Sequence, residues 1–165
     1  MDQSNFLEDL IALLEEHRIR YCLIGGQAVN AYAEPLVSLD LDLVVAVDQL
    51  PLVEEMVRTR FQVERFAHSL NVSAPCSNLR VQIQTDPRYA DFPERASVRE
   101  VLGLRAPVAA AEDVLQGKIW AVQDAARRPS KRRKDLLDIE RLLEARPDLR
   151  RLVPPEVRVL LDSPI

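Results

Sequence analysis

The 165-residue chain is long enough to bury one substantial core and too short for a repeat array. With 47% hydrophobic and 29% charged residues its composition is ordinary for a globular protein, which excludes wholesale disorder. The net charge of −4 divides unevenly: residues 1–126 hold 11 basic and 19 acidic side chains, whereas residues 127–165 hold 11 and 7. Arg127 to Lys134 places six positive charges in eight positions, a run that suits phosphates or an acidic partner, or else a solvated turn between helices. The longest apolar runs, such as Leu43 to Val47, fall far short of the roughly 20 residues a membrane helix needs. Met1 to Asp9 carries acidic residues and no basic cluster ahead of an apolar stretch, so no secretory signal is expected and the chain reads as cytoplasmic. Cys22 and Cys76 lack CxxC spacing and are expected as buried free thiols. With only His17 and His68 besides, both expected at the surface, the common His/Cys zinc site has no ligand set.

Asn5 followed three residues later by Glu8 has the form of a capping box. Phe6, Leu7, Leu10, Ile11, Leu13 and Leu14 then recur at helical spacing, predicting a helix to about Arg18. Arg20 to Ile24 is a short apolar run that stops at Gly25-Gly26, a buried strand ending in a tight turn. Gln27 to Ala33 suits a short helix ended by Pro35. Leu39, Leu41, Leu43, Val45 and Val47 alternate along a strand and put Asp40 and Asp42 together on its other face. Asp48 and Pro51 open a helix to about Arg60. Phe61 to Phe66 and Leu79 to Thr85 read as strands, the second stopped by Asp86-Pro87. Val98 to Val108, broken by Gly103, reads as a hairpin or an irregular strand. Glu112 and Asp113 suit the start of a helix to about Ala126, Ser130 the cap of another ending near Pro147, and Pro154-Pro155 precedes a last short one. The class is α+β, with a core over residues 1–108 and a helical extension over 109–165 expected to pack on it as one unit.

Side chains two apart on a strand are about 7 Å from each other. Two like charges at that distance repel by roughly 2 kcal/mol at an effective dielectric near 20. A hard cation such as Mg2+ relieves that repulsion at Asp40 and Asp42, and a pair of such ions is the usual arrangement for phosphoryl and nucleotidyl transfer. Gly25-Gly26, at a strand end ahead of a helix, lets backbone N–H groups approach an anion with no Cβ in the way.

Gly25-Gly26, a short helix, and then Ser38-Leu39-Asp40-Leu41-Asp42-Leu43 resembles the signature of the nucleotidyltransferase superfamily, a glycine-glycine or glycine-serine turn followed by a D-x-D strand. The likeness is to small bacterial members of the AbiEii-like and minimal type found in toxin-antitoxin and abortive-infection systems. It is strongest over Tyr21 to Val47 and continues more weakly to about Leu143. The resemblance implies a mixed sheet flanked by helices, with an NTP and Mg2+ bound at Asp40 and Asp42. It implies triphosphate contacts near Gly25, Gly26, Gln27 and Ser38, nucleotide transfer to a protein or RNA acceptor, and a small helical partner protein. Lys118 and the Lys134-Asp135 pair resemble the lysine and the K-D element of the AbiEii-like helical part.

The chain departs from that pattern at two places. Leu36 stands where many members carry an arginine, and Gln82, or less fittingly Gln84, stands where they carry a third acid on a neighbouring strand. A glutamine oxygen can coordinate Mg2+ but brings no charge and is a poor general base. Asp86 is the nearby carboxylate that could substitute. These departures keep open a second reading, a catalytically degenerate binding or antitoxin module, and the basic run a third, an RNA-binding accessory protein. Plainer roles also stand beside the functional ones. Lys118 could snorkel from an amphipathic helix, Asp135 and Asp138 could pair locally with Lys131 and Lys134, Trp120 could be core, and Gln82 and Gln84 could line an edge strand.

Overall fold

The computed structural model describes residues 3–75 and 77–163. In chain order the elements are α1 (Gln3–Glu16), β1 (Tyr21–Ile24), α2 (Gly25–Tyr32), β2 (Asp40–Val45), α3 (Leu50–Arg60), β3 (Gln62–Phe66), β4 (Ser69–Ser73), β5 (Arg80–Gln84), β6 (Ser97–Val101), β7 (Leu104–Val108), α4 (Ala111–Gln123), α5 (Pro129–Ala145) and α6 (Pro155–Leu161). The strands form one mixed sheet in the order β3-β4-β5-β2-β1-β7-β6. β2 is antiparallel to β1 and parallel to β5, and β1 runs parallel to β7. The expected α+β class, a mixed sheet flanked by helices, is the one the chain forms.

Alternation along the central strands decides which face is core. Leu41 and Leu43 of β2, Val81 and Ile83 of β5, and Leu70 and Val72 of β4 are matched in register and all buried. Each fully buried Leu or Ile of this set contributes about 1.5–3 kcal/mol. Phe6 of α1 joins the same core and meets Phe61 at 5.1 Å between ring centroids. The alternate residues Asp40, Asp42, Arg80, Gln82 and Asn71 therefore share the opposite face.

Several local expectations change. Asn5 and Ser130 lie inside their helices rather than capping them, because α1 already includes Gln3 and Pro129 begins α5 behind Arg128. Leu39 and Val47 are exposed and outside β2. β4 carries only two apolar residues and no turn signal of its own, yet it pairs on both sides, so β5 is an interior strand and not an edge. Cys22 is a buried free thiol, pushed up to about 12 by burial, while Cys76 lies outside the described residues. His17 and His68 are exposed. Among the described residues no helix is long and apolar enough to cross a membrane.

The segment from Val98 to Val108 resolves as a hairpin, with Val101 paired to Leu104 around a two-residue turn. Leu102 and Gly103 both take positive φ, 53° and 78°, the pattern of a type I′ turn. Leucine is strained there because its Cβ crowds the following carbonyl, and this side chain is half-exposed. Leu102→Asn is expected to raise stability by about 1 kcal/mol, read as a higher urea midpoint. An unchanged or lower midpoint would mean that the leucine's contacts outweigh its strain.

Candidate active site

β1 ends at Ile24, which the β1–β2 register sets opposite Asp42. The chain then enters α2 through Gly25, and two constraints demand glycine. Its φ is +72°, and a Cβ there would overlap Asp42 Oδ2 and stand 3.0 Å from Asp42 Cγ. The diglycine bend and the second carboxylate are therefore in contact. No side chain caps the first turn of α2, so its N–H groups, at the positive end of the helix dipole, are available to an anion.

Beside this contact lies a cleft of about 550 Å³. Its floor is the polar sheet face: Asp40 pairs in register with Arg80, Asp42 with Gln82, and Gln82 in turn with Asn71. The expected common face of Asp40 and Asp42 is thus present, and both line the cleft together with Gly25, Gly26 and Ser38. Arg80 Nε donates to Asp40 Oδ1 at 2.9 Å. Asp42 has no hydrogen bond or ion pair among the described residues. Burial pushes its pKa up and Asp40 adds to the rise, while Lys118, Arg127 and Lys131 pull it down.

The other wall comes from α4 and α5. Lys118 is buried, its Nζ 3.1 Å from Asp135 Oδ1 and 2.8 Å from Asp138 Oδ2. Burial alone would lower its pKa, but the two carboxylates outweigh that and hold it above the usual lysine value. Arg127 Nε donates to Asp135 Oδ2 at 2.8 Å, and Arg141 Nη1 donates to Asp138 Oδ1 at 2.8 Å. Arg141 Nη2 also donates to Asn30 Oδ1 and to the Glu34 carbonyl. Lys118 therefore does not snorkel: Asp135 and Asp138 pair with it across helices, and their other partners are Arg127 and, three residues along α5, Arg141 rather than Lys131 and Lys134. The basic run borders the same space, since Arg127, Arg128, Ser130, Lys131 and Lys134 all line it.

Two residues lie elsewhere. Gln27 is buried and does not line the cleft; its Nε2 donates to the Ser38 carbonyl at 3.0 Å, and its Oε1 accepts from Asn30. Asp86 caps the turn at Pro87–Tyr89 and is engaged by the Arg88 amide and guanidinium, so it does not stand in for a third acid. Gln82 is exposed on the floor opposite Asp42, and the Gln84 Oε1 accepts from the Asp86 amide. Trp120 is half-buried against the core, with the Arg88 guanidinium 4.7 Å over its ring. Sequence reasoning missed Arg80, Asn71 and Tyr89 as cleft residues. The alternation Arg80-Val81-Gln82 already placed Arg80 on the Gln82 face, whereas Asn71 and Tyr89 had no local signal.

The fold has counterparts among solved structures. The chain superimposes on ANT(2'')-Ia, solved in complex with adenylyl-2''-tobramycin, with a TM-score of 0.64 at 14% identity, over 96% of this chain and 94% of that one. The lincosamide antibiotic adenylyltransferase LnuA, solved with lincomycin bound, matches with a TM-score of 0.53 at 12% identity, over 82% and 95%. An antigenic nucleotidyltransferase-like protein from Paracoccidioides brasiliensis matches with a TM-score of 0.51 at 20% identity, over 82% and 73%. The chain has the nucleotidyltransferase fold. No protein-family model matches its sequence, and no curated protein matches it.

Within this nucleotidyltransferase fold Asp42 is a carboxylate whose ionisation the folded state opposes. Its pKa lies above the unfolded value, so the wild type loses stability as pH rises from the ordinary carboxylate range through the folded pKa. Asp42→Asn removes that loss. In metal-free buffer its thermal midpoint is expected to exceed the wild type's at pH 7, the two converging once the pH falls below the ordinary carboxylate value. Equal midpoints at pH 7 would refute this account of Asp42.

Proposed function

We propose that this protein binds a nucleoside triphosphate with Mg2+ in the cleft and transfers the nucleotide to a hydroxyl of an RNA or protein acceptor. The observation that carries the reading is the juxtaposition of Asp40 and Asp42, on one sheet face, with the Gly25-Gly26 entry to α2. The donor set fits a hard divalent cation. Two carboxylates, one bridged only by the exposed Arg80 and the other unpartnered, offer the oxygen ligands and negative charge that Mg2+ prefers. Mg2+ held there would neutralise phosphate charge and orient the α-phosphorus for in-line displacement.

The chain's own groups do the rest. First-turn N–H groups of α2 donate to polyphosphate oxygens, with Ser38 beside them, while the buried Gln27 fixes Ser38 from behind. Lys118, kept protonated by Asp135 and Asp138, is a fixed positive charge at the back wall. The acceptor hydroxyl attacks the α-phosphorus, the bond to pyrophosphate breaks, and the hydroxyl proton must leave. Gln82, at the register position beside Asp42, cannot take that proton. Slow turnover follows from that deficit.

The lining bears on the acceptor too. It includes six basic side chains, Arg80, Lys118, Arg127, Arg128, Lys131 and Lys134, against the three carboxylates Asp40, Asp42 and Asp135. Such a field attracts a polyanion and repels a polycation, so RNA or an acidic protein segment suits this cleft better than a molecule like tobramycin. The reading extends to its setting. The protein acts in the cytoplasm as the AbiEii-like member of a toxin-antitoxin or abortive-infection pair, beside a small helical partner protein. The neutral Gln82 favours a second reading, in which the fold keeps the nucleotide site and has lost turnover.

Calorimetric titration of each Mg-NTP into the wild type is expected to show binding of at least one, weakened more than about tenfold in Asp40→Asn/Asp42→Asn. Equal affinity in the two proteins would remove the site assignment. Gln82→Glu restores a carboxylate next to Asp42 and is expected to raise label transfer from NTP to RNA or protein by about 100-fold or more. If neither the wild type nor Gln82→Glu transfers label from any of the four NTPs, the binding-module reading stands instead.

A further inference from the structure

Tyr89 carries a polar atom that neither the fold nor the nucleotide site just described accounts for. It ends the turn that follows β5, and the residue is only 7% exposed. Its ring packs edge-on against Phe92 and Trp120, with centroids 5.1 Å from each. Gly117 of α4 closes another side: a Cβ there would stand 3.3 Å from Tyr89 Cε1 and 3.8 Å from the hydroxyl. Packing therefore fixes where the phenol points. Its oxygen has no hydrogen-bond partner among the described residues, yet Tyr89 lines the cleft, within electrostatic reach of Asp42 and Arg127. The ring is buried and held while its hydroxyl keeps access to the cleft, so the phenol's donor is free for a ligand atom there.

We propose that Tyr89 is a substrate-binding residue whose O–H donates a hydrogen bond to a phosphate oxygen of the bound nucleotide. Lys118 and Arg127, both donor-only groups, line the same cleft, and Arg127 is within electrostatic reach of the phenol, so the ligand atom that suits this wall is an acceptor oxygen bearing negative charge. Burial pushes the phenol up to about 12, which keeps it a neutral donor at every working pH and excludes it as a base. The inference rests on the nucleotide-binding reading and goes beyond it in assigning this contact.

Tyr89→Phe deletes the hydroxyl and keeps the ring, so the thermal midpoint is expected to stay at the wild-type value. Affinity for Mg-ATP and for inorganic tripolyphosphate with Mg2+ is expected to fall about tenfold to 100-fold, the effect of losing one hydrogen bond to a charged acceptor. Phe61→Leu, which thins the core at Phe6 away from the cleft, serves as the packing control, lowering the midpoint but leaving both affinities unchanged. If Tyr89→Phe binds like the wild type while Asp40→Asn/Asp42→Asn does not, the Tyr89 assignment alone is overturned. A loss seen with Mg-ATP but not with tripolyphosphate overturns the phosphate contact, and an equal loss in Phe61→Leu reduces the effect to packing. If the wild type binds neither probe nor any other Mg-NTP, the nucleotide reading falls and this inference with it.

Discussion

Asp42 occupies the space that a side chain on Gly25 would need, and the rest of the cleft is arranged around that contact. Antiparallel pairing of β1 with β2 brings a strand end beside a carboxylate that is already within about 7 Å of a second one on the same face. Burying a charge without a partner is costly, and three things can relieve it: a fixed cation, backbone amides, or an incoming ion. The fold supplies the first at longer range through Lys118, Arg127 and Lys131, while no amide donates to Asp42 among the described residues and the first turn of α2 stays uncapped. It leaves the third to the ligand. A site that is uncomfortable when empty is one that gains when filled.

Two of the cations that act on Asp42, Lys118 and Arg127, are themselves held by a buried ion cluster. Lys118, Arg127 and Arg141 share the two carboxylates of Asp135 and Asp138. Removing one member of such a cluster costs about 3–5 kcal/mol, whereas replacing a whole buried pair by apolar side chains is often neutral. Stability alone therefore does not call for charge here, and the reason lies in placement. Arg141 ties α5 to Asn30 and to the Glu34 carbonyl, so the loop leading into Asp40 and the helix bearing the basic run are fastened to each other. The basic rim is held at a set position relative to the carboxylates it serves.

How far this could be read from the sequence depended on the range of each interaction. The diglycine bend, the D-x-D face and the class of the fold are local or period-two features, and all were legible. Ser38, two residues before Asp40, shared in that. Lys118 was ambiguous because its partners are 17 and 20 residues away on another helix, and helical spacing within α5 pointed to local pairs instead. Gln27 looked like part of the glycine motif but turns inward, where Ser38 and Asn30 use its amide. β4 went unseen because Ser-Leu-Asn-Val-Ser has little strand character until β3 and β5 flank it. Tyr89 was invisible for a related reason: although Phe92 is only three residues on, its meaning comes from Gly117 and Trp120 on the distant α4.

Gln82 turns these placements into a statement about charge. A carboxylate at that register position would add a third negative group to the floor, one strand spacing from Asp42, and at about 5 Å an effective dielectric near 20 makes that repulsion roughly 3 kcal/mol. The amide avoids that cost, and with Asn71 on one side and Gln84 further along β5 it makes the floor beyond Asp42 a neutral, hydrogen-bonding surface. Basic side chains then outnumber carboxylates around the cleft before any cation enters. On the proposed nucleotide-transfer reading, the amide that favours an anionic ligand is also one that cannot take the proton of an acceptor hydroxyl, which sets affinity against turnover at one residue.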